Sequence, residues 1–137
     1  MVDRLILTRK VWQGMQRHVR SRSPLEACGL LAGKQGRAEI RLGIPNEERS
    51  ARRFRMEPRA MWRAFQTIEA ARMELTGIYH SHPGGPDHPS AADIAETMYP
   101  VAQVIWSRVD GRWQARAFQI REGKVIEISL EVQAPST

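Results

Sequence analysis

Hydrophobic and polar positions along this chain change their spacing several times, and each change marks a new element. A short apolar run at Leu5–Leu7 predicts a first strand. Apolar residues then recur every four positions, so we predict a helix that Thr8 opens and that ends before Pro24, at about Arg22. The residues on its buried face are Val11, Met15 and Val19.

Longer apolar runs follow and predict the middle of a sheet. We expect a hairpin of Ala27–Gly33 and Ala38–Pro45, with its turn at 34–37. A third, more polar strand is expected at Arg52–Met56. Pro58 suits the first turn of a second long helix. The inward stripe of that helix consists of Met61, Phe65, Ile68 and either Ala71 or Arg72.

The second half of the chain reads as strands around one short helix. A strand at Gly77–Ser81 leads into a loop rich in proline and glycine, and a short helix follows from Ser90 to about Met98. Tight turns are expected at Asp110-Gly111 and Glu122-Gly123. The strands around them are Ala102–Ser107, Arg112–Arg121 and Lys124–Val132. This order indicates an α/β or α+β fold, in which a curved mixed sheet carries two long helices and one short one.

Composition fits one ordinary globular domain. The 137 residues, 42% hydrophobic and 26% charged, suffice for one sizeable core. We assign residues 1–132 to that domain and residues 133–137 to a loose C-terminal tail. No apolar run has the length of a membrane span, the N-terminus lacks a signal-peptide pattern, and Cys28 is the single cysteine. We therefore expect a cytoplasmic protein.

Two histidines, a serine and an aspartate lie within fourteen residues, at spacings that suit a metal ion. On the strand that ends here, side chains two positions apart share a face, so His80 and His82 point together and Ser81 points away. The proline and glycine residues turn the chain back before Ser90, so that Asp93 can return to the histidines. Two imidazoles and one carboxylate are the three protein ligands of a typical catalytic zinc site. This set favours a metal-assisted hydrolase.

Other interpretations of the same residues stay open. Ser90 and Asp93 have the spacing of a helix N-cap and its acidic third helical residue. An HxH pair also occurs as two ordinary histidines on a polar strand face. Neither alternative accounts for the whole set. The spacing also allows the facial triad of a non-haem iron enzyme.

The combined motifs resemble a known family. His80–Pro83, six further residues and Ser90–Asp93 match HxHPxxxxxxSxxD, the signature of the JAMM or MPN+ metalloproteases, at every defined position. Upstream, Pro24–Gly33 is similar to the P-x-E-x-C-G-L-L-x-G segment of that family, and Glu26 takes the place of its glutamate. The resemblance covers nearly the whole chain and implies the MPN fold.

The resemblance also implies a chemistry. The ligands of one catalytic zinc ion would be His80, His82 and Asp93. Glu26 would be the general base and acid for a zinc-bound water, and Ser90 would donate a hydrogen bond to the developing oxyanion. The implied reaction hydrolyses the bond after the C-terminal Gly-Gly of a ubiquitin-like or sulfur-carrier protein, whose tail binds beside the site by strand addition.

Net charge is the main reason to consider another class of function. Lys and Arg number 21 against 15 acidic residues, which gives a formal charge of +6. One short segment contains Arg49, Arg52, Arg53 and Arg55. Nucleic-acid binding is the weaker alternative, because the basic residues are dispersed and no nucleic-acid module motif is present. A non-catalytic MPN scaffold is the other alternative, and the intact motif argues against it. The oligomeric state is left open, a homodimer included.

We assign no catalytic or metal-binding role to Cys28 or His88. Cys28 lies at the start of the apolar run 28–32, so we expect it to pack as a small hydrophobe rather than to act as a nucleophile. His88 falls outside the motif spacing and is expected to be exposed.

Overall fold

Residues 3–134 are described by the computed structural model, and they form three helices and one eight-stranded sheet. The strands are β1 (Arg4–Leu7), β2 (Cys28–Gly33), β3 (Arg37–Ala38), β4 (Ile40–Ile44), β5 (Glu74–His82), β6 (Ala102–Val109), β7 (Arg112–Arg121) and β8 (Lys124–Val132). The helices are α1 (Arg9–Arg22), α2 (Pro58–Ala70) and α3 (Ala91–Glu96). The mixed fold with two long helices and one short helix is confirmed.

The two long helices cover opposite faces of the sheet, because strand residues alternate between the faces. In β2, Leu31 belongs to the core on the α1 side with Met15, whereas Leu30 belongs to the core on the α2 side with Ile68. The strand order is β3-β1-β8-β7-β6-β5-β2-β4. Strand β5 thus has neighbours on both sides, antiparallel β2 and parallel β6.

The two ends of the described chain meet at β1. This strand pairs in parallel with both β3 and β8. Beyond β8, the backbone N–H of Gln133 donates to the carbonyl of Leu7 at 2.7 Å, and the guanidinium of Arg37 donates to the Gln133 side chain at 2.7 Å. The start of the expected tail is therefore hydrogen-bonded to the sheet, and residues 135–137 lie outside the described residues.

The expected strand at Arg52–Met56 is wrong. Met56 makes only an isolated bridge with Asn46. The Asn46 side chain donates to the carbonyl of Arg53 and accepts the N–H of Arg55 at 2.9 Å, so these backbone groups bond to a side chain instead of a neighbouring strand. Residues 45–57 consequently form a folded loop, which we call the 45–57 loop.

Two smaller expectations need correction. Ala38 is not part of the hairpin strand, because it pairs with Leu7 in the parallel β1–β3 ladder, and the hairpin strand β4 begins at Ile40. The inward stripe of α2 does not reach Ala71 or Arg72, which are exposed after the helix ends. The buried residues of α2 are Ala64 and Ile68, with Met61 and Phe65 partly buried.

Strand β5, helix α3 and strand β6 form the unit that positions the candidate site. The strands are parallel, with His82 opposite Ser107, and α3 lies in the connection between them. Side chains at the carboxyl end of β5 and the start of α3 therefore face a common edge of the sheet, where open α/β sheets typically bind ligands. No helix within residues 3–134 is long and apolar enough to cross a membrane.

Candidate metal centre and active site

Three ligand atoms meet at the carboxyl end of β5. The Nε2 atoms of His80 and His82 lie 3.0 Å apart. Oδ2 of Asp93 lies 3.2 Å from the first and 3.1 Å from the second. Two ligands of a tetrahedral zinc ion are roughly 3.3 Å apart when each bond is about 2.0–2.1 Å. The triangle of two nitrogens and one oxygen therefore has the dimensions of one face of such a coordination sphere.

The hydrogen bond of His82 indicates which of its atoms is free to bind. Nδ1 of His82 donates to the Pro86 carbonyl at 2.8 Å, so the neutral ring presents a lone pair at Nε2. That lone pair faces the Asp93 carboxylate, which has only lone pairs when ionised. A cation between the two converts a repulsive contact into two ligand bonds. The donor set of two imidazoles and one carboxylate fits zinc, and it also occurs in non-haem iron sites.

The charges of these groups are set by burial and by one another. Burial would raise the pKa of Asp93, but the close contacts of its carboxylate with His80 and His82 outweigh this and hold the pKa well below the usual range. Burial lowers the pKa of His80. Burial would also lower the pKa of His82, but the adjacent Asp93 carboxylate and the hydrogen bond to the Pro86 carbonyl raise it above its usual value. Asp93 is thus an anion, and neutral His80 is ready to act as a ligand.

Ser90 and Asp93 form a reciprocal cap at the start of α3. Ser90 Oγ accepts the backbone N–H of Asp93 at 3.1 Å, and Asp93 Oδ2 accepts the backbone N–H of Ser90 at 2.8 Å. The capping interpretation is therefore confirmed, and it does not compete with a metal role. The same Oδ2 atom that closes the cap also contacts both histidines.

Glu26 also reaches the two histidines. It lies just before β2, and only 3% of its surface is exposed. A carboxylate oxygen of Glu26 and one ring nitrogen each of His80 and His82 all lie within 4.8 Å of one another. Burial raises the pKa of Glu26 to about 7, partly offset by His82 and reinforced by Asp93. Either carboxylate could complete a ligand set, and Asp93 makes the short contacts.

The 45–57 loop holds Glu26 and His80 in place. The backbone N–H of Glu26 donates to the Ser50 carbonyl at 2.7 Å, and the Asn46 side chain donates to the Glu26 carbonyl at 3.1 Å. The Phe54 ring stacks on the His80 ring, with centroids 4.4 Å apart and planes 25° apart. Sequence reasoning missed these contacts. The available signal was a lone aromatic residue among arginines, which indicates burial in an otherwise exposed segment.

A cavity of about 550 Å³ adjoins the triangle of ligand atoms. Its walls come from the 45–57 loop, α2 and the residues after α3, and both His80 and Asp93 line it. The apolar side chains on its walls are Phe54, Met56, Met61, Ile78, Met98 and Tyr99. Met98 is 80% exposed, so the cavity is open to solvent at the end of α3. An elongated apolar segment can therefore lie against the site from this side.

Some of the arginines between residues 49 and 55 already have acidic partners within the chain. Arg53 pairs with Glu96 at 3.3 Å, and Arg55 pairs with Glu47 at 3.6 Å. Each arginine also lines the cavity, where its charge is partly neutralised. Two of the four arginines in this segment are therefore paired with acidic side chains.

Cys28 and His88 behave as expected. Cys28 is fully buried, its thiol donates weakly to the Ile44 carbonyl at 3.3 Å, and burial raises its pKa to about 12. Such a thiol is not a nucleophile at neutral pH. His88 is exposed and contacts Asp87.

Comparison with known proteins agrees with this geometry. A family model described as prokaryotic homologs of the JAB domain matches residues 8–121. The chain belongs to this family. The resemblance to JAMM-type proteins that the two motifs indicate is thereby confirmed.

Relatives of this JAB-family chain carry the names of protein-cleaving enzymes. The chain is 34% identical over 129 residues to the "Probable TtuB-protein conjugate cleaving protease" of Thermus thermophilus, covering 93% of this chain and 82% of that protein. It is 30% identical over 132 residues to the "CysO-cysteine peptidase" of Mycobacterium bovis, covering 93% and 90%. It is 33% identical over 115 residues to the "Desampylase" of Pyrococcus furiosus, covering 82% and 80%. The expectation of a peptidase is confirmed.

Solved structures support the fold. A protein of Desulfitobacterium hafniense superposes with a TM-score of 0.86 at 28% identity, over 96% of this chain and 94% of the other. A JAB1/MPN domain protein of Archaeoglobus fulgidus superposes with a TM-score of 0.61 at 19% identity, over 93% and 99%. The JAB1/MPN fold expected from the sequence is confirmed.

Proposed function

We propose that this JAB-family chain is a zinc-dependent isopeptidase or peptidase that hydrolyses the bond after the C-terminal Gly-Gly of a ubiquitin-like or sulfur-carrier protein. The observation that supports this most is the meeting of His80 Nε2, His82 Nε2 and Asp93 Oδ2 within 3.2 Å of one another beside an open cavity. Three protein ligands leave a fourth position for water, as catalytic zinc sites do. Bound zinc supplies a Lewis acid and lowers the pKa of a coordinated water.

Glu26 is the proposed proton carrier. Its carboxylate lies within 4.8 Å of the histidine nitrogens, close enough to share a hydrogen bond with a water molecule held at the same metal ion. A pKa raised to about 7 by burial suits a group that takes a proton and then returns it. Glu26 would accept a proton from the attacking water and deliver it to the leaving amine. This transfer typically contributes about 10²–10⁴-fold in rate.

Ser90 is the proposed oxyanion donor. Its Oγ already accepts the N–H of Asp93, so its own hydrogen is free to point toward the substrate carbonyl. A single such donor is typically worth about 10²–10³-fold in rate. Because water attacks directly, we expect no acyl-enzyme on Ser90 or on Cys28, whose thiol is buried.

Support for the substrate class comes from the relatives and from the cavity. The names of the relatives refer to TtuB conjugates, to CysO and to desampylation. The apolar walls around Met56, Met61 and Tyr99 can hold the residues that precede a Gly-Gly terminus. Glycines have no side chains, so they can lie close to the buried histidines beside the Phe54 ring.

The first test measures zinc and cleavage together. Protein purified without added metal is assayed for zinc content, and it is incubated with fusions of TtuB or CysO that end in Gly-Gly before the bond to be cut. We expect about one zinc ion per chain, and cleavage after Gly-Gly that a chelator stops and zinc restores. Metal-free protein that cleaves none of the fusions would exclude the proposal.

Variants separate metal binding from proton transfer. Glu26→Gln keeps the volume and removes the base, so it should abolish turnover while zinc remains bound. His82→Ala should lose both zinc and turnover. The exposed His88, which lies outside the ligand triangle, offers a matched control, and His88→Ala should retain both. Near wild-type turnover by Glu26→Gln would show that the role given to Glu26 is wrong.

A further inference from the structure

A second cleft lies on the opposite face of the sheet from the candidate metal site. It has a volume of about 490 Å³ and lies between the carboxyl half of α1 and the β6–β7 turn. Its lining residues are Gln16, Arg20, Ser23, Arg108, Gly111, Arg112 and Trp113. Most of these side chains are polar or positively charged, whereas the cavity beside the histidines has largely apolar walls.

The three arginines of this cleft have no partner within the chain as described. Across residues 3–134, no acidic side chain lies within ion-pair distance of Arg20, Arg108 or Arg112. Asp110 lies in the same turn as two of them, but it neither pairs with them nor lines the cleft. Arg20 also complements the helix dipole in the last turn of α1, a role that the other two arginines do not share.

The cleft and the candidate metal site open at the same edge of the sheet. Ser107 lies opposite His82, and Arg108 is the next residue of β6. Trp106 packs on the α1 side, where its indole contacts Met15, so Arg108, two residues later, projects to that side as well. The other wall leads from Ser23 directly to Glu26. A chain that crosses the site from the apolar cavity can therefore continue toward the arginines.

We propose that this cleft binds carboxylate side chains of an acidic segment in the protein on the leaving-group side of the scissile bond. The inference rests on the proposed peptidase function for the direction of the substrate. Planar guanidinium groups match carboxylates in geometry and charge, and Trp113 and Ser23 supply a wall and a hydroxyl donor. A protein, rather than a small leaving group, is required to reach around the sheet edge and touch both sites.

Binding is measured first, without any need for catalysis. A fluorescent decapeptide rich in glutamate is titrated into the protein at low ionic strength, because salt screens exposed charges. A glutamine-rich decapeptide of the same length is the neutral probe. We expect the double variant Arg108→Ala/Arg112→Ala to bind the glutamate peptide about tenfold more weakly, since each exposed ion pair contributes up to roughly fivefold. Arg17→Ala removes an exposed charge from the same helix outside the cleft and should change affinity less than about twofold.

Turnover then tests the direction of the substrate. Two fusions share one ubiquitin-like part and carry either a glutamate-rich or a glutamine-rich segment after Gly-Gly. Wild type should show a lower KM for the first, and the double variant should lose that preference while its kcat for the second stays unchanged. Persistence of the preference in the double variant, or equal KM values in wild type, would overturn the proposal.

The outcomes distinguish this inference from the proposed function. Arginine-dependent peptide binding without cleavage of any fusion would support the carboxylate-binding cleft and exclude the proposed peptidase function. Cleavage after Gly-Gly without any glutamate preference would support the peptidase function and exclude the proposed role of the cleft. Tight binding of inorganic pyrophosphate that Arg108→Ala/Arg112→Ala abolishes, with no binding of the glutamate peptide, would identify a phosphate site and overturn the carboxylate assignment.

Discussion

Asp93 and Ser90 hold each other in place: the carboxylate of the first accepts the N–H of the second at 2.8 Å, and the hydroxyl of the second accepts the N–H of the first at 3.1 Å. The aspartate oxygen in this cap is also the one that meets both histidines. The cap therefore orients a proposed metal ligand, and the serine has both a structural and a proposed catalytic role.

These two roles of Ser90 can be separated by substitution. Ser90→Gly removes the hydroxyl but costs a helix N-terminus only a few tenths of a kcal/mol, whereas Ser90→Ala costs about 1 kcal/mol. Both variants should lose about 10²–10³-fold in kcat if the hydroxyl stabilises the oxyanion. Urea unfolding and steady-state kinetics measure the two effects, and Ser90→Thr, which keeps a capping hydroxyl, should restore both. Full activity of Ser90→Gly would show that Ser90 caps the helix but does not stabilise the oxyanion.

Phe54 is predicted to support metal binding through His80. Ligating histidines usually donate their second ring nitrogen to an acceptor, as His82 does to Pro86. Nδ1 of buried His80 has no hydrogen-bond partner among the described residues, and the stacked Phe54 ring restricts the imidazole instead. Phe54→Ala should weaken zinc binding about tenfold in a chelator competition, because losing an orienting partner typically costs about 10–100-fold.

The control for Phe54 is an aromatic replacement. Phe54→Tyr keeps a flat ring and should retain zinc affinity within about twofold, and Met56→Ala, at a neighbouring residue of the cavity wall, should do the same. Unchanged zinc affinity in Phe54→Ala would mean that the β5 backbone alone fixes His80.

His18 should make stability depend on pH. Burial, followed by the nearby Arg41 and Arg22, lowers the pKa of His18 from 6.5 to about 4. The neutral ring accepts the Tyr79 hydroxyl at 2.6 Å, while that oxygen accepts Arg41 at 2.9 Å. As pH falls from about 6.5 toward 4, His18 takes up a proton in the unfolded protein but not in the folded one. The unfolded state is stabilised over this interval, so the free energy of unfolding decreases. Because the ring is partly exposed, screening by solvent keeps this contribution below roughly 3 kcal/mol.

The measurement compares urea unfolding of wild type and of His18→Asn between pH 7.5 and pH 4. Asparagine keeps an acceptor for Tyr79 and does not titrate, so the difference between the two proteins isolates His18 from the histidines of the metal site. We expect wild type to lose more stability than the variant across this interval. Parallel curves would show that His18 has no linkage to folding.

Gly29 is required by the position of Tyr79. A Cβ atom at residue 29 would collide with the Tyr79 ring, which cannot withdraw because His18 and Arg41 hold its hydroxyl. Gly29→Ala should therefore destabilise the protein by about 1–3 kcal/mol, the usual cost of overpacking. At Gly84, a Cβ would have no described atom within 4 Å, so Gly84→Ala is the matched control and should unfold like wild type. Equal thermal midpoints for the two variants would contradict this account.

Alternation along one strand made the core of the candidate site predictable. Residues two apart on a strand share a face, which placed His80 with His82 and sent Ser81 to the other side, where it accepts the N–H of Ala27. Local hydrogen bonding likewise made the Ser90 cap predictable. Glu26 could be joined to the site only through the family motif, because a contact across more than fifty residues leaves no trace in local spacing.

The remaining features depend on contacts that no local pattern encodes. The 45–57 loop has the composition of a polar strand, and the Asn46 side chain decides otherwise by bonding to its backbone. The short parallel strand at Arg37–Ala38 exists because β1 arrives beside it from the start of the chain. The carbonyl of Pro86 meets His82 only after the proline-rich loop has folded. In each case the partner of a side chain or backbone group depends on how the surrounding chain folds, and the spacing of apolar residues does not reveal it.

Strand β5 has no solvent side from Thr76 to His82, since every residue there is buried. Tyr79 packs in the core on the α1 side, whereas Ile78, His80 and His82 on the other face combine packing on the α2 side with the candidate chemistry. A substitution in this strand that changes reactivity also changes the packing of the core. The strand therefore tolerates few substitutions, either natural or engineered. New substrate preferences would have to arise in the 45–57 loop, at the end of α3 and on the arginine cleft, where side chains reach solvent and can change one at a time.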